Sequence, residues 1–464
     1  MRTFPVHTAL TLALLCAALA GARLATPRLK APDAALFGEI VDFSPEKAPA
    51  TPWQPKSEPL PPPAAKPSPH SALLNDANGA LDSFYEALWR TERREPGAVT
   101  HIVHYGDSPT TADLITGDVR AILQKRFGDA GHGFVLPAKP WAWYQHSGVT
   151  VSGSGWQMLP ASHFEAHDGL FGLGGVSFTG QTGASSRLAF QEPGQTDFEI
   201  WFLRQPGGGA FTAEADGAPL GRVETAADQK TPGFAAFHLD APARVLQLRV
   251  EEPNVRLFGV AASKPGTGVV YDSLGLNGAS ITVLSRMFNR QHWAEELSHR
   301  NPQLVIVNYG TNEADFDKFI VHGYEAELRA AIARIRAAVP HASLLVMSPM
   351  DRGYLSGPGE ISTMPTIPRI VAIQRRVAAD TGCGFFDTYA AMGGEGTMAR
   401  WYAAQPRLVS ADFIHPTPQG GRIVATVFTH EIETGLDRYK VAHLASPQTS
   451  AAGSPPRPAA GAAK

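Results

Sequence analysis

The 464-residue sequence has little cysteine, with only Cys16 and Cys383. Cys16 lies in a leader-like segment that export would remove, so one cysteine would remain and no intrachain disulfide could form. A basic excess is also missing, because 40 Lys and Arg stand against 43 Asp and Glu, for a net charge of −3. Without a Lys/Arg cluster, the charge pattern predicts no nucleic-acid partner. The sequence also lacks His, Cys, Asp and Glu groups at metal-ligand spacing, so we expect neither metal nor cofactor.

The two ends of the chain have compositions unlike a globular domain. Residues 1–22 combine an early arginine with a short apolar run, which predicts a signal peptide or an N-terminal anchor. Residues 23–70 form a proline-rich linker, and residues 446–464 consist mostly of Ala, Pro, Gly and Ser, which predicts a disordered tail. We therefore expect a periplasmic or extracellular protein, and a membrane tether through the N-terminus stays open.

The region between these ends alternates between strand and helix patterns. Predicted pairs such as the strand 100–105 and the helix 110–127 imply an α/β fold with a parallel sheet flanked by helices in three layers. From 141 to 263 the helix patterns stop, and short alternating runs separated by glycine turns predict an all-β sandwich. The expected organisation is a discontinuous α/β domain, 71–140 and 264–445, with a β domain inserted at 141–263.

Two short segments carry the residues of a serine nucleophile and its base. Ser108, in Gly106-Asp107-Ser108, comes directly after a predicted strand, where open α/β sheets bind ligands. His415, in Asp412-Phe413-Ile414-His415, could take the serine proton while Asp412 holds its tautomer. Each segment has a simpler explanation. Ser108 could serve as a helix cap and nothing more, and Asp412 could simply accept hydrogen bonds from a local loop. Their occurrence at opposite ends of one α/β domain favours the catalytic interpretation.

Other residues could complete such a site. Gly278 and Asn312 each follow a predicted strand and could donate to an oxyanion, the first through its backbone N–H and the second through its amide. Trp141, Trp143 and Tyr144 are bunched where the insert begins, as in many sugar sites, although packing between domains would explain them equally.

Four segments in this order resemble the SGNH (GDSL-type) hydrolase superfamily: Gly106-Asp107-Ser108, Asn277-Gly278-Ala279, Gly310-Thr311-Asn312-Glu313 and Asp412-x-x-His415. The resemblance implies Ser108 as nucleophile, His415 as base and Asp412 as its orienter. It also implies an oxyanion hole made of the Ser108 N–H, the Gly278 N–H and the Asn312 amide. The third block usually ends in Asn-Asp, and its Glu313 is expected to affect only local packing.

More narrowly, the chain resembles periplasmic peptidoglycan O-acetylesterases, which also carry a carbohydrate-module-like β insert between the first two blocks. That resemblance implies an exported esterase that removes O-acetyl groups from a cell-wall or extracellular polysaccharide, with peptidoglycan first, through an acyl-enzyme. A polysaccharide O-acetyltransferase with the same triad is one alternative. A non-catalytic glycan-binding protein, in which the β insert binds the glycan, is the other.

Overall fold

The computed structural model describes residues 73–162 and 168–445. The predicted leader at 1–22, the linker at 23–70 and the tail at 446–464 lie outside the described residues. Within the described part, no helix is both long and apolar enough to cross a membrane.

The strands of the described residues belong to one six-stranded sheet, one nine-stranded sheet and one hairpin. In chain order they are β1 (Leu74–Asn75), β2 (Val99–Gly106), β3 (Gly133–Val135), β4 (Val149–Pro160), β5 (Val176–Phe190), β6 (Gln195–Arg204), β7 (Ala210–Ala215), β8 (Ala218–Glu224), β9 (Thr231–Ala243), β10 (Val245–Glu252), β11 (Val255–Ser263), β12 (Gly268–Gly275), β13 (Leu304–Asn308), β14 (Ser343–Met347), β15 (Gly353–Gly357), β16 (Glu360–Thr363) and β17 (Gly384–Phe386).

The α-helices of the described residues flank the six-stranded sheet or connect its strands. They are α1 (Asp82–Glu92), α2 (Ser108–Thr111), α3 (Thr116–Phe127), α4 (Arg290–Arg300), α5 (Asp317–His322), α6 (Tyr324–Ala338), α7 (Thr366–Thr381), α8 (Thr388–Ala391), α9 (Thr397–Ala403) and α10 (Pro418–Ala445). A π-helix (Val283–Met287) precedes α4, and a 3₁₀ turn (Glu313–Asp315) precedes α5.

The six-stranded sheet has the order β1-β17-β14-β13-β2-β12. Five of its strands run parallel, whereas β1 pairs antiparallel with β17 at one edge. Alternate side chains pack on opposite faces: Ile306 and Met347 lie with α1, α3 and α10, while Val305 and Val346 lie with α4, α6 and α7. This double burial explains the near-continuous apolar runs of β13 and β14. The carboxyl ends of β2, β12 and β13 consequently meet at one edge.

The strands β3 to β11 form the nine-stranded sheet, in which neighbouring strands are antiparallel. No helix occurs in the described residues 140–162 and 168–263. The sheet already includes Gly133–Val135, which pairs with β11 ahead of the predicted boundary at 141. Its core is continuous with that of the α/β layers, since Phe258 packs edge-on against His292 of α4. The inserted β sandwich at 141–263 therefore stays a prediction.

The predicted helix 110–127 is in fact two helices, α2 and α3, separated at Asp113. Asp113 has a left-handed backbone (φ +54°), which interrupts the helix. Its buried carboxylate accepts hydrogen bonds from the Thr116 hydroxyl (2.6 Å) and the Ser147 N–H (2.7 Å) and pairs with Arg120 (2.5 Å). These tertiary contacts stabilise a conformation that helical periodicity does not indicate.

Candidate active site

Ser108 lies at the turn from β2 into α2. The turn is tight at Gly106, where an added Cβ would stand 2.2 Å from the Thr110 hydroxyl oxygen. The Thr111 N–H donates to the Asp107 carbonyl (2.9 Å) and starts the helix. Ser108 is therefore held at the carboxyl edge of the sheet, with its own N–H in the first turn of a helix, where backbone donors lack intrahelical acceptors.

His415 and Asp412 belong to one turn that precedes α10. The Asp412 Oδ1 atom accepts from the Ile414 N–H (2.9 Å) and the His415 N–H (3.0 Å). Phe413 has a left-handed backbone (φ +58°) that costs ~1–2 kcal/mol for a side-chain-bearing residue. Its carbonyl accepts from the Gly353 N–H (2.9 Å), which anchors the turn to the β15 hairpin. The backbone thus points both functional side chains in one direction.

The structure brings Ser108, His415 and Asp412 into one hydrogen-bonded chain. Ser108 Oγ lies 2.7 Å from His415 Nε2, and His415 Nδ1 lies 2.6 Å from Asp412 Oδ2. The side chains of His415 and Asp412 are 38% and 46% exposed, so water reaches the site. Burial alone would raise the pKa of Asp412, but hydrogen bonds from the His415 and Ile414 N–H groups outweigh it and lower that pKa below its usual value. Asp412 is therefore a carboxylate at neutral pH.

Gly278 and Asn312 lie on the loops that follow β12 and β13, beside the end of β2. The Leu276 N–H donates to the Gly106 carbonyl (3.0 Å), which ties the Gly278 loop to the Ser108 turn. Asn312 Nδ2 donates one hydrogen to the Ala279 carbonyl (2.8 Å). An amide nitrogen carries two hydrogens, so a second one remains for a ligand.

Two buried carboxyl groups lie directly behind these loops. Burial raises the pKa of Asp107 to about 6, although a hydrogen bond with Thr311 opposes the shift. Burial and the nearby Asp107 charge raise the pKa of Glu313 to about 7, although the Ile281 N–H donates to its Oε1 atom (2.7 Å). Within residues 73–162 and 168–445, no three His, Cys, Asp or Glu side chains are grouped as metal ligands would be.

Of the three predicted sugar-binding aromatic residues, Trp143 has the most open ring. It is 48% exposed, and its indole N–H donates to Asn277 Oδ1 (3.0 Å), next to Gly278. Trp141 packs partly buried against the core. Tyr144 is 4% exposed and its hydroxyl accepts from the Leu136 N–H (3.0 Å), so its ring has no free face for a sugar. Packing, the alternative explanation, accounts for Tyr144.

A cavity of about 380 Å³ adjoins the two candidate oxyanion donors. Gly278 and Asn312 line it together with Arg286, Phe316 and Phe319. Phe316 is 63% exposed at this cavity. Sequence reasoning missed these residues, because Phe316 lies between a 3₁₀ turn and a short helix, neither of which is long enough to show a periodic pattern.

Arg352 is a further residue that sequence reasoning missed. Its guanidinium donates to the Thr311 carbonyl (2.7 Å) and pairs with Asp315 (2.7 Å). The next residue, Gly353, holds the Phe413 carbonyl. Arg352 thereby connects the Asn312 loop to the His415 turn. Its position just beyond a parallel strand, β14, is the signal that could have identified it.

One family profile matches part of this chain. Residues 251–423 match the sequence profile of the GDSL-like lipase/acylhydrolase family, a range that contains Gly278, Asn312, Asp412 and His415 but begins after Ser108. None of the curated proteins matches the chain.

Among solved structures, a peptidoglycan O-acetylesterase is 24% identical, covers 79% of this chain and 100% of its own, and gives a TM-score of 0.68. A family two carbohydrate esterase from Clostridium thermocellum, in complex with cellohexaose, is 14% identical over 61% of this chain and 99% of its own, with a TM-score of 0.28. That second likeness is too weak to argue from. The family profile over residues 251–423 supports an esterase or acylhydrolase of the SGNH type, and the chain has the fold of the peptidoglycan O-acetylesterase.

Proposed function

We propose that this protein is an exported serine O-acetylesterase that removes acetyl groups from a cell-wall or extracellular polysaccharide, with peptidoglycan as the first candidate. The observation that carries the proposal is the hydrogen-bonded chain from Ser108 Oγ through His415 to Asp412, with distances of 2.7 and 2.6 Å. These are the contacts that a serine needs to lose its proton as it attacks an ester.

The proposed first step is acylation. Ser108 Oγ attacks the acetyl carbonyl carbon while His415 Nε2 accepts the hydroxyl proton, and the carbonyl electron pair moves onto oxygen. The Asp412 carboxylate stabilises the imidazolium and keeps the other ring proton on Nδ1. The oxyanion then receives hydrogen bonds from the Ser108 N–H, the Gly278 N–H and the Asn312 amide, each typically worth ~10²–10³ in rate.

The proposed second step regenerates the serine. As the tetrahedral intermediate collapses, His415 Nε2–H protonates the departing sugar oxygen and the acetyl group stays on Ser108. Water, deprotonated by the same nitrogen, attacks the acetyl-serine, and the second collapse returns that proton from His415 to Ser108 Oγ and releases acetate. An O-acetyltransferase would differ only in the acceptor that enters here. The exposure of His415 and Asp412, 38% and 46%, admits water and therefore favours hydrolysis.

Three observations support a polysaccharide substrate. The triad lies open at the sheet edge, as a polymer requires. Trp143 presents an indole face beside the Gly278 loop, on which a sugar ring could stack. The fold is that of a solved peptidoglycan O-acetylesterase. The composition of residues 1–22 supports export and leaves a membrane tether open.

The test is acetate release by the purified chain, compared with its Ser108→Ala variant. The substrates are an aryl acetate, O-acetylated peptidoglycan and acetylated xylan. Removal of a triad serine should lower turnover by about 10⁶-fold. Ser108-dependent release from peptidoglycan would support the whole proposal, whereas Ser108-dependent release from xylan alone would replace its substrate. Equal release by wild type and Ser108→Ala would contradict the assignment of the nucleophile.

A further inference from the structure

We propose that Glu313 is a positioning residue for the oxyanion hole, because its buried carboxyl group holds the loop that carries the Gly278 N–H. The inference rests on the proposed function, since it concerns the same site. Sequence comparison treated Glu313 only as a departure from the usual Asn-Asp ending. The structure places this residue on the Asn312 loop, where its carboxyl group accepts a hydrogen bond from the Gly278 loop.

The Gly278 loop needs external support. A Cβ built at Gly278 would meet no heavy atom within 4 Å, so packing does not hold this residue. Its backbone is left-handed (φ +68°), and the direction of its N–H depends on the hydrogen bonds of its neighbours. On one side, the Leu276 N–H donates to Gly106 and the Ala279 N–H closes a turn onto Leu276 (3.2 Å).

On the other side, the adjacent residues Asn312 and Glu313 hold the Gly278 loop by hydrogen bonds. Asn312 Nδ2 donates to the Ala279 carbonyl (2.8 Å), and Glu313 Oε1 accepts from the Ile281 N–H (2.7 Å). The two bonds lie on either side of Ser280. Asn312 also supplies a proposed oxyanion donor, so the pair fixes both donors relative to each other. Glu313 is 1% exposed, which protects its bond from competition with water.

The length of the side chain is what makes this contact possible. An aspartate would be shorter by one methylene, about 1.5 Å, and from the same backbone its oxygen would fall outside hydrogen-bond range of the Ile281 N–H. A glutamine has the same length and keeps a carbonyl oxygen as acceptor. Among the described residues, Glu313 Oε2 makes no hydrogen bond of standard geometry, although the nearby Gly310 and Glu313 N–H groups lower the pKa of the carboxyl group. Burial also raises the pKa of Glu313 to about 7, and a neutral amide mimics the protonated form.

The expected loss in kcat follows from how strongly the rate depends on the position of the oxyanion donors. A catalytic group displaced by ~1 Å costs ~10²-fold in rate, and loss of one oxyanion donor costs ~10²–10³-fold. The Gly278 loop would lose one anchor and keep the others. We therefore expect Glu313→Asp to lower kcat by roughly 10- to 100-fold and to leave KM for an aryl acetate within about twofold.

The experiment compares Glu313→Asp, Glu313→Gln and the matched control Glu296→Gln in the full chain. Glu296 is also wholly buried, but it lies in α4, where its carboxyl group faces His292 at 3.7 Å. The readouts are kcat and KM for an aryl acetate, the thermal midpoint, and the Kd of a boronic acid that forms a tetrahedral adduct with Ser108. We expect the boronate affinity of Glu313→Asp to weaken by the same factor as kcat. Glu313→Gln and Glu296→Gln should stay within about threefold of wild type.

The possible outcomes separate this inference from the proposed function. If Ser108→Ala abolishes turnover but folded Glu313→Asp keeps the wild-type kcat, the positioning role is wrong and the proposed nucleophile stands. Equal losses in Glu313→Asp and Glu313→Gln would also contradict the inference, because glutamine keeps the acceptor. If Ser108→Ala is as active as wild type, the proposed function itself fails.

Discussion

Replacing Asp412 gives a sharp test of the triad, because we expect the conservative asparagine variant to have a lower kcat than the alanine variant. Asp412→Ala removes the partner of His415 Nδ1, which lies 2.6 Å away. Asp412→Asn keeps an oxygen for the Ile414 and His415 N–H groups, which now donate at 2.9 and 3.0 Å. It also presents an amide N–H to His415 Nδ1, which favours the tautomer whose proton is on Nε2. That tautomer cannot accept the Ser108 proton.

The magnitude follows from the exposure of the site. Opposite charges about 4 Å apart interact by ~1 kcal/mol in bulk water and ~4 kcal/mol near a protein surface. Because the Asp412 side chain is 46% exposed, its stabilisation of the imidazolium should lie between these limits. Asp412→Ala should therefore lower kcat by roughly 10- to 10³-fold. Asp412→Asn should lower it by about 10⁴-fold, the cost typical of a wrong tautomer.

The assay is steady-state hydrolysis of an aryl acetate at neutral pH, with unfolding curves as a control for stability. The asparagine variant keeps the acceptor for both backbone N–H groups, so it should be at least as stable as the alanine variant. An asparagine variant that is more active than the alanine variant would refute the assignment of Asp412 as the group that holds the His415 tautomer. An alanine variant with wild-type kcat would remove Asp412 from the mechanism.

Three further predictions concern substrate binding, buried charge and pH. Trp143→Ala should raise KM for an O-acetylated glycan by about 5- to 10-fold, as loss of ~1 kcal/mol of ring contact implies, and leave aryl acetate turnover unchanged; a raised KM for both substrates would contradict sugar stacking. Arg300→Met should lower the free energy of unfolding by ~3–5 kcal/mol, because it leaves the buried Asp272 carboxylate without its cation. Arg300 donates hydrogen bonds to that carboxylate at 2.6 and 2.8 Å. Arg369→Met, which breaks an exposed pair with Asp317, is the matched control in urea unfolding and should cost less than ~1 kcal/mol. Finally, the folded state raises the pKa of Glu313 from 4.5 to about 7, so wild type should lose roughly 3 kcal/mol of stability relative to Glu313→Gln as pH rises through that window. Urea unfolding at pH 4.5 and pH 8 measures this difference, and a change of the opposite sign would refute the burial argument.

Much of the α/β fold follows from local patterns. The apolar run at 100–105 depends only on nearby residues, and the strand predicted from it is β2 (Val99–Gly106). The antiparallel edge strand β1 and the β15 hairpin were not predicted. Two residues of β1 carry no periodicity, and the hairpin is a mostly exposed element without a buried face. The split at Asp113 was missed because its cause, a buried pair with Arg120, is a tertiary contact.

The candidate site divides in the same way. The types and order of Ser108, Gly278, Asn312, Asp412 and His415 lead to the prediction that they form one site, because proton transfer and nucleophilic attack depend on functional groups that can be read from the sequence. Only the tertiary structure could bring a serine within 2.7 Å of a histidine 307 positions away. The tertiary structure also decides which side chains are buried. It buries the ring of Tyr144, leaves the ring of Trp143 accessible to solvent, and raises the pKa of Glu313 through burial. Side-chain chemistry is a property of each residue, whereas distance, exposure and electrostatic environment are properties of the packed chain.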